Sequence, residues 1–255
     1  MKKLFTLASL VALTFASCAK EETKSVAEGE GRVTISCEVA TDVVETRANV
    51  SCTTPSKADF DLTIEGVDHT YTAYYDDIAV FEEDSYLHLG TYTATVKAGD
   101  VKEEGYDAAA FAGSQEFEVT ARQETSVTIT ATIINALVRV DVTEDFKRYF
   151  PGGHSLKLTT EAGNEFNVSA QTEPIFFAPG AFTISGTAVK QSAESGAEGA
   201  TVALPEYKHD VAEAQHYYTV KFDVESAGNA KLIITLNDTP VEEVEIEQEL
   251  NDNSK

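Results

Sequence analysis

The chain has 255 residues, 19 Lys and Arg against 43 Asp and Glu, and a formal net charge of −24. That balance excludes most nucleic-acid binders, because affinity for DNA or RNA comes largely from cationic side chains that displace counterions from phosphates. A hydrophobic fraction of 42% is enough to build cores, and the length fits one or two globular domains. The first segment is a targeting signal. Met1-Lys2-Lys3 is a short basic region, and Leu4 to Phe15 is an apolar run of 12 residues, shorter than the roughly 20 needed to span a bilayer as a helix and right for secretion.

The signal ends in Phe15-Ala16-Ser17-Cys18, which resembles the bacterial lipobox, with Phe15 where Leu is usual. The resemblance implies a signal peptide over 1–17 and a diacylglycerol thioether on Cys18. Residues 18–31 (CAKEETKSVAEGEG) are polar and without periodicity, and predict a flexible acidic tether. Ala19-Lys20-Glu21-Glu22 also resembles the export signal of surface-exposed Bacteroidetes lipoproteins. With Cys18 assigned to lipid, Cys37 and Cys52 remain. They are either a disulfide closing a loop of about 15 residues, worth on the order of 3 kcal/mol, or two free thiols.

From Arg32 onward the pattern has period two. Val33-Ile35-Cys37, Phe60-Leu62-Ile64, Tyr92-Ala94-Val96, Val127-Ile129-Ala131, Val138-Val140-Val142, Leu156-Leu158, Phe166-Val168, Phe182-Ile184, Tyr218-Val220-Phe222-Val224, Leu232-Ile234-Leu236 and Val244-Ile246 predict half-buried strands. Turn residues such as Ala98-Gly99-Asp100 and Pro151-Gly152-Gly153 separate them at the spacing of an antiparallel sandwich. Glu144 to Phe150 predicts a helix, capped by Thr143, with Phe146, Tyr149 and Phe150 on one stripe. An internal echo links Leu87-His88-Leu89-Gly90-Thr91-Tyr92-Thr93-Ala94 with Phe177-Ala178-Pro179-Gly180-Ala181-Phe182-Thr183-Ile184. The echo predicts an all-β fold of two tandem sandwich modules, 32–131 and 132–250, joined at Ile133-Ile134-Asn135-Ala136 with almost no linker.

Catalytic motifs are missing: the sequence has no nucleophile elbow, Walker loop, dinucleotide fingerprint or H-E-x-x-H. The five histidines have no ligand spacing, so neither a metal nor a cofactor is expected. Asp76-Asp77 and Glu82-Glu83-Asp84 read as solvated acidic loops in preference to weak calcium sites. Tyr71, Tyr74 and Tyr75 cluster near a strand end and are either a glycan-binding patch or ordinary cross-strand packing.

The order of several motifs resembles a fimbrillin-like group of Bacteroidetes cell-adhesion lipoproteins of unknown function. The motifs are the lipobox at Cys18, Glu45-Thr46-Arg47-Ala48, Ala58-Asp59-Phe60-Asp61-Leu62-Thr63-Ile64, Leu89-Gly90-Thr91-Tyr92-Thr93-Ala94-Thr95-Val96, Tyr106-Asp107 through Phe111 to Phe117, and Asn135-Ala136-Leu137-Val138-Arg139-Val140 leading to Phe146 and Tyr149-Phe150. The resemblance covers the chain to about residue 190 and implies transthyretin-like or immunoglobulin-like sandwiches on a lipid anchor. It implies no catalytic residues. Arg47-Ala48 resembles the processing point at which such lipoproteins free a groove for strand exchange; otherwise Arg47 is an exposed loop residue. The expectation is a non-enzymatic lipoprotein, anchored in the outer membrane and exposed at the cell surface. It would mediate adhesion or serve as an accessory of fimbriae, with fimbrial subunits, a host protein or a glycan as partner. The alternative is a glycan-binding lipoprotein of an outer-membrane nutrient-uptake system.

Overall fold

Alternation of buried and exposed residues carries most of the chain into strands, as the sequence predicts. The computed structural model describes residues 28–44, 50–190, 192, 199–225 and 231–245. Cys18, Arg47 and Ala48 therefore lie outside the described residues.

Seven strands build the first sheet: β1 (Glu30–Ala40), β2 (Asp61–Gly66), β3 (Thr72–Tyr75), β4 (Tyr86–His88), β5 (Gly90–Ala98), β7 (Phe111–Val119) and β8 (Glu124–Ile133). Their order across the sheet is β3-β2-β5-β7-β8-β1-β4. β5 and β7 pair along their whole length, whereas β7 and β8 meet only at Phe111↔Ile133 and Ala112↔Thr132. Beyond those two pairs the sheet folds back on itself as a sandwich. Leu62, Ile64 and Val96 from one layer then share a core with Val33, Ile35, Val127 and Ile129 from the other.

The second half repeats this plan with β9 (Ala136–Val142), β10 (His154–Thr160), β11 (Glu165–Asn167), β12 (Ile175–Phe177), β13 (Gly180–Val189), β15 (Tyr207–Ala212) and β16 (Tyr217–Glu225). One layer runs β11-β10-β13, with β15 and the short β14 (Thr201–Ala203) on β13. The other gains a hairpin, β17 (Lys231–Leu236) and β18 (Thr239–Glu245), and borrows β6 (Gly105–Tyr106) from the first half. Its order is β18-β17-β16-β9-β12-β6. A second core, including Val138, Phe146, Leu158, Phe182 and Phe222, fills this sandwich.

The echo of the sequence falls on β4–β5 and β12–β13, which occupy the same places in the two halves. In both, the first strand pairs antiparallel with the strand before the glycine, β1 with β4 and β9 with β12. Gly90 and Gly180 open β5 and β13 at φ 149° and 156°, a region that only glycine occupies readily. Each faces a carboxylate from the turn after the preceding hairpin strand. Asp68 accepts from Thr91 N at 3.3 Å and Glu161 from Ala181 N at 2.9 Å.

The all-β sandwich reading holds, with one amendment to its antiparallel character. β1 pairs with β8, and β9 with β16, in parallel. The partners are separated by nearly a whole half, which gives the chain room for the crossover that a parallel pair requires.

Among the described residues, two short α-helices accompany the strands. The first, α1 (Ile78–Glu83), lies where the sequence predicts an acidic loop. Asp77 caps it through Ala79 N at 2.7 Å, and Ile78 and Phe81, one turn apart, are buried. The second, α2 (Glu144–Tyr149), is the predicted one, with Thr143 Oγ1 accepting from Phe146 N at 3.2 Å and donating to Asp223 Oδ1 at 2.5 Å. Buried Phe146 packs on Phe150 and Phe222. Thr143→Ala should cost about 1 kcal/mol and lower the thermal midpoint by about 2–4 °C, read by calorimetry.

Candidate functional site

β1 sits between β8 on one side and β4 on the other, with Val33 and Ile35 almost fully buried. The chain leaves β1 through Asp42–Val44 toward the segment that contains Arg47. Cys37 lies on β1 and Cys52 beyond that segment; both are half-buried free thiols in this structure. Burial pushes both thiols up, Cys52 further through the Asp107 carboxylate nearby and Cys37 despite a backbone hydrogen bond at Ala131. Thiols held protonated are poor nucleophiles.

The three tyrosines do not share a face. Tyr71 and Tyr75 are half-buried against the first core, edge-on to Tyr92 and Phe81 with ring centroids 5.4 Å apart in each case. Burial, then Tyr75 beside it, pushes the Tyr71 hydroxyl up to about 12. Tyr74 points the other way and is 63% exposed. A hydrogen bond with Asp61 raises its pKa. The alternation of a strand splits a cluster that is contiguous in sequence.

Among the described residues no group of three or more His, Cys, Asp or Glu is placed to hold a metal ion. His69 lies 2.6 Å from Asp68, and His154 Nε2 lies 2.9 Å from the Ser169 carbonyl. Also among the described residues, no helix is long and apolar enough to cross a membrane.

Polar contacts fasten the joint between the halves at three places. At the covalent junction Asn135 is fully buried. Its Oδ1 accepts from Ala110 N at 2.6 Å and its carbonyl from Gln215 N at 2.7 Å. The second fastening ties the end of β1 to the start of β16. Gln215, at φ 63°, accepts from Val44 N at 2.8 Å and donates its side-chain amide to the Asp42 carbonyl at 3.0 Å, while Val44 bridges His216. In the third, Glu104 takes three hydrogen bonds from the second half: Thr160 Oγ1 at 2.5 Å, Asn164 Nδ2 at 2.9 Å and Ala178 N at 3.1 Å. Beside it β6 pairs with β12, and Tyr106 donates to the Asn167 carbonyl at 3.2 Å.

Sequence reasoning does not single out Glu104, Asn135 or Gln215 as fasteners of the joint. Glu104 is one acid among 43 Asp and Glu, and its three partners lie 56 to 74 residues away. The positive φ at Gln215 has no signal in its residue type. Glu104→Ala should leave Thr160, only 4% exposed, without its acceptor and cost about 2 kcal/mol. Amide exchange should then rise at Gly105–Tyr106 and in Ile175–Phe177 before it rises elsewhere.

A family model described as "Domain of unknown function (DUF4493)" matches residues 29–252. No curated protein matches the chain. Among solved structures, the chain is similar to a fimbrial assembly protein from Parabacteroides distasonis at 11% identity and a TM-score of 0.46, covering 80% of this chain and 96% of that one. It is also similar to the fimbrial anchor protein Mfa2 from Porphyromonas gingivalis at 9% identity and a TM-score of 0.40, covering 84% and 99%. These names fall in the group that the sequence resemblance indicates.

Proposed function

We propose, from the premise that this chain belongs to the DUF4493 family, that it is a non-enzymatic cell-surface lipoprotein serving adhesion or acting as an accessory component of fimbriae. The observation that carries this reading is the fastening of two like sandwiches end to end. β1 starts at the end of the first half remote from the second: Glu30 faces His88 there, whereas Val44 reaches His216. A tether running back from Glu30 to a lipid on Cys18 therefore meets the body at one end, and the second half is held out at the other. A body of this kind is a spacer that presents its far end, the task of an adhesin or a fimbrial accessory.

The test is fractionation and protease shaving of cells carrying the native chain or Cys18→Ala. The native protein is expected in the outer membrane with its second half cut from outside, and the variant in the soluble fraction. A native protein that is soluble, or membrane-bound but inaccessible to protease, would sink the reading. The intact mass of the extracted protein decides processing. A diacylated chain starting at Cys18 means an anchored protein, and a chain starting at Ala48 means cleavage after Arg47 and a subunit built for strand exchange. A mass unchanged by reductant means that Cys37 and Cys52 stay unbridged.

The glycan-binding alternative rests on Tyr74, the exposed member of the three tyrosines. Binding in a glycan panel that disappears in Tyr74→Ala would favour it; silence across the panel would count against it.

A further inference from the structure

We propose that the parallel pair β1/β8 is a mechanical clamp, in which a pull between the N-terminal tether and the second half is resisted in shear by the whole ladder at once. The surface reading supplies the origin of the pull; the mechanical property itself follows from strand order and register.

Force from the tether enters at Glu30, the first residue of β1. It leaves the first half at Ile133, the last residue of β8, which passes through Ile134 and Asn135 into β9. β1 is thus drawn toward its own N-terminus and β8 toward its own C-terminus. Because the strands are parallel, these two ends lie at opposite ends of the ladder, and the pull slides one strand along the other. All nine facing pairs, from Arg32↔Glu124 to Ala40↔Thr132, are loaded together. In an antiparallel pair loaded at the same two termini, the pulled ends would lie side by side and the bonds would break in succession.

Local chemistry reinforces this ladder. Thr34 Oγ1 donates to Glu124 Oε1 at 3.0 Å, and Ser36 Oγ lies 3.0 Å from Thr128 Oγ1. Sideways peeling is opposed by β4 on the other flank of β1 and by Val33 and Ile35, which are locked in the core. The second half carries the same arrangement in β9/β16, from Leu137↔Tyr217 to Val142↔Phe222. Between the halves, the bonds at Glu104, Asn135 and Gln215 oppose bending of the joint, so the load stays along the strands.

The experiment is single-molecule pulling of the full-length protein from two pairs of exposed handle positions. Handles at Glu28 and Arg148 load the clamp in shear, because Arg148 follows β9 and force crosses the second half along the β9 backbone. Handles at Glu28 and Gln123 pull on the adjacent starts of β1 and β8, and so unzip the same ladder. An unchanged thermal midpoint in both labelled proteins confirms an intact fold. Forced rupture reports the barrier to unfolding rather than equilibrium stability, so the two geometries can differ in one and the same protein. The expected result is a rupture force several-fold higher for Glu28/Arg148 than for Glu28/Gln123. An equal or lower force would overturn the clamp. A protein that fails the fractionation test leaves this ratio untouched, so the two readings fail separately.

Discussion

A chain that begins at Val50 is expected to lose cooperative folding of its first half, and to regain it when a peptide of residues 28–44 is supplied. β1 provides the partner for nine residues of β8 and places Val33 and Ile35, 0% and 1% exposed, in the core. Withdrawal of those two side chains alone forfeits about 3–6 kcal/mol, a large share of the roughly 5–15 kcal/mol by which a domain is stable. It also strands the ladder groups of β8 and removes the Asp42–Val44 fastening to Gln215. The measurement is amide exchange across β8 and β4 in the truncated chain, with and without peptide. Protection in β8 without peptide would show that β1 is dispensable. Rescue by peptide would show that the slot between β8 and β4 accepts a strand supplied from outside the chain, which strand exchange after a cut at Arg47 requires.

Gly90→Val is expected to cost more than about 3 kcal/mol, from strain at a backbone conformation closed to branched residues together with a steric clash. At φ 149° an added Cβ would stand 2.7 Å from the His69 imidazole, which is itself held edge-on to Tyr92 and beside Asp68. Gly180→Val meets the same backbone demand, and its Cβ would collide with Glu161 Oε2. Glu161 is the acceptor of Ala181 N, so it cannot swing away without losing that bond. Urea unfolding followed by fluorescence and by circular dichroism checks both. A cost below about 1 kcal/mol for either would show that the strand entry relaxes freely.

The strands that are legible in the sequence are those with one face in the core and one in water. β5, β8 and β16 alternate cleanly because each is half-buried. β12 carries no such signal: Ile175, Phe176 and Phe177 are all buried, since the strand is covered on both faces where the two cores meet. β7 loses its alternation across Gly113–Glu116, where the sheet folds over. α1 is masked by its acids, although Asp77 followed by Ile78 and Phe81 is a cap before two apolar residues one turn apart. The parallel sense of β1/β8 cannot be read, because period two is the same in either direction. The tyrosine cluster is divided between two faces for a related reason: neighbours along a strand face opposite ways. The fasteners of the joint are beyond reach, since a lone Glu or Gln acquires its role only from partners that are distant in sequence.

The placement of β1 also fixes an order of events in time. Ser36 and Thr128 are hydrogen-bonded across 92 residues, so β1 has no ladder to join until nearly the whole first half has followed it in the growing chain. Contacts of that span form slowly, because loop closure must precede any gain. In the interval, a nascent strand with an exposed apolar face waits beside a second half built on the same plan, where β16 offers β9 the kind of seat that β8 offers β1. Misplacement of one first strand into the other half's slot is therefore the folding error this topology invites, and a factor that holds β1 until β8 has arrived should raise the yield of refolding.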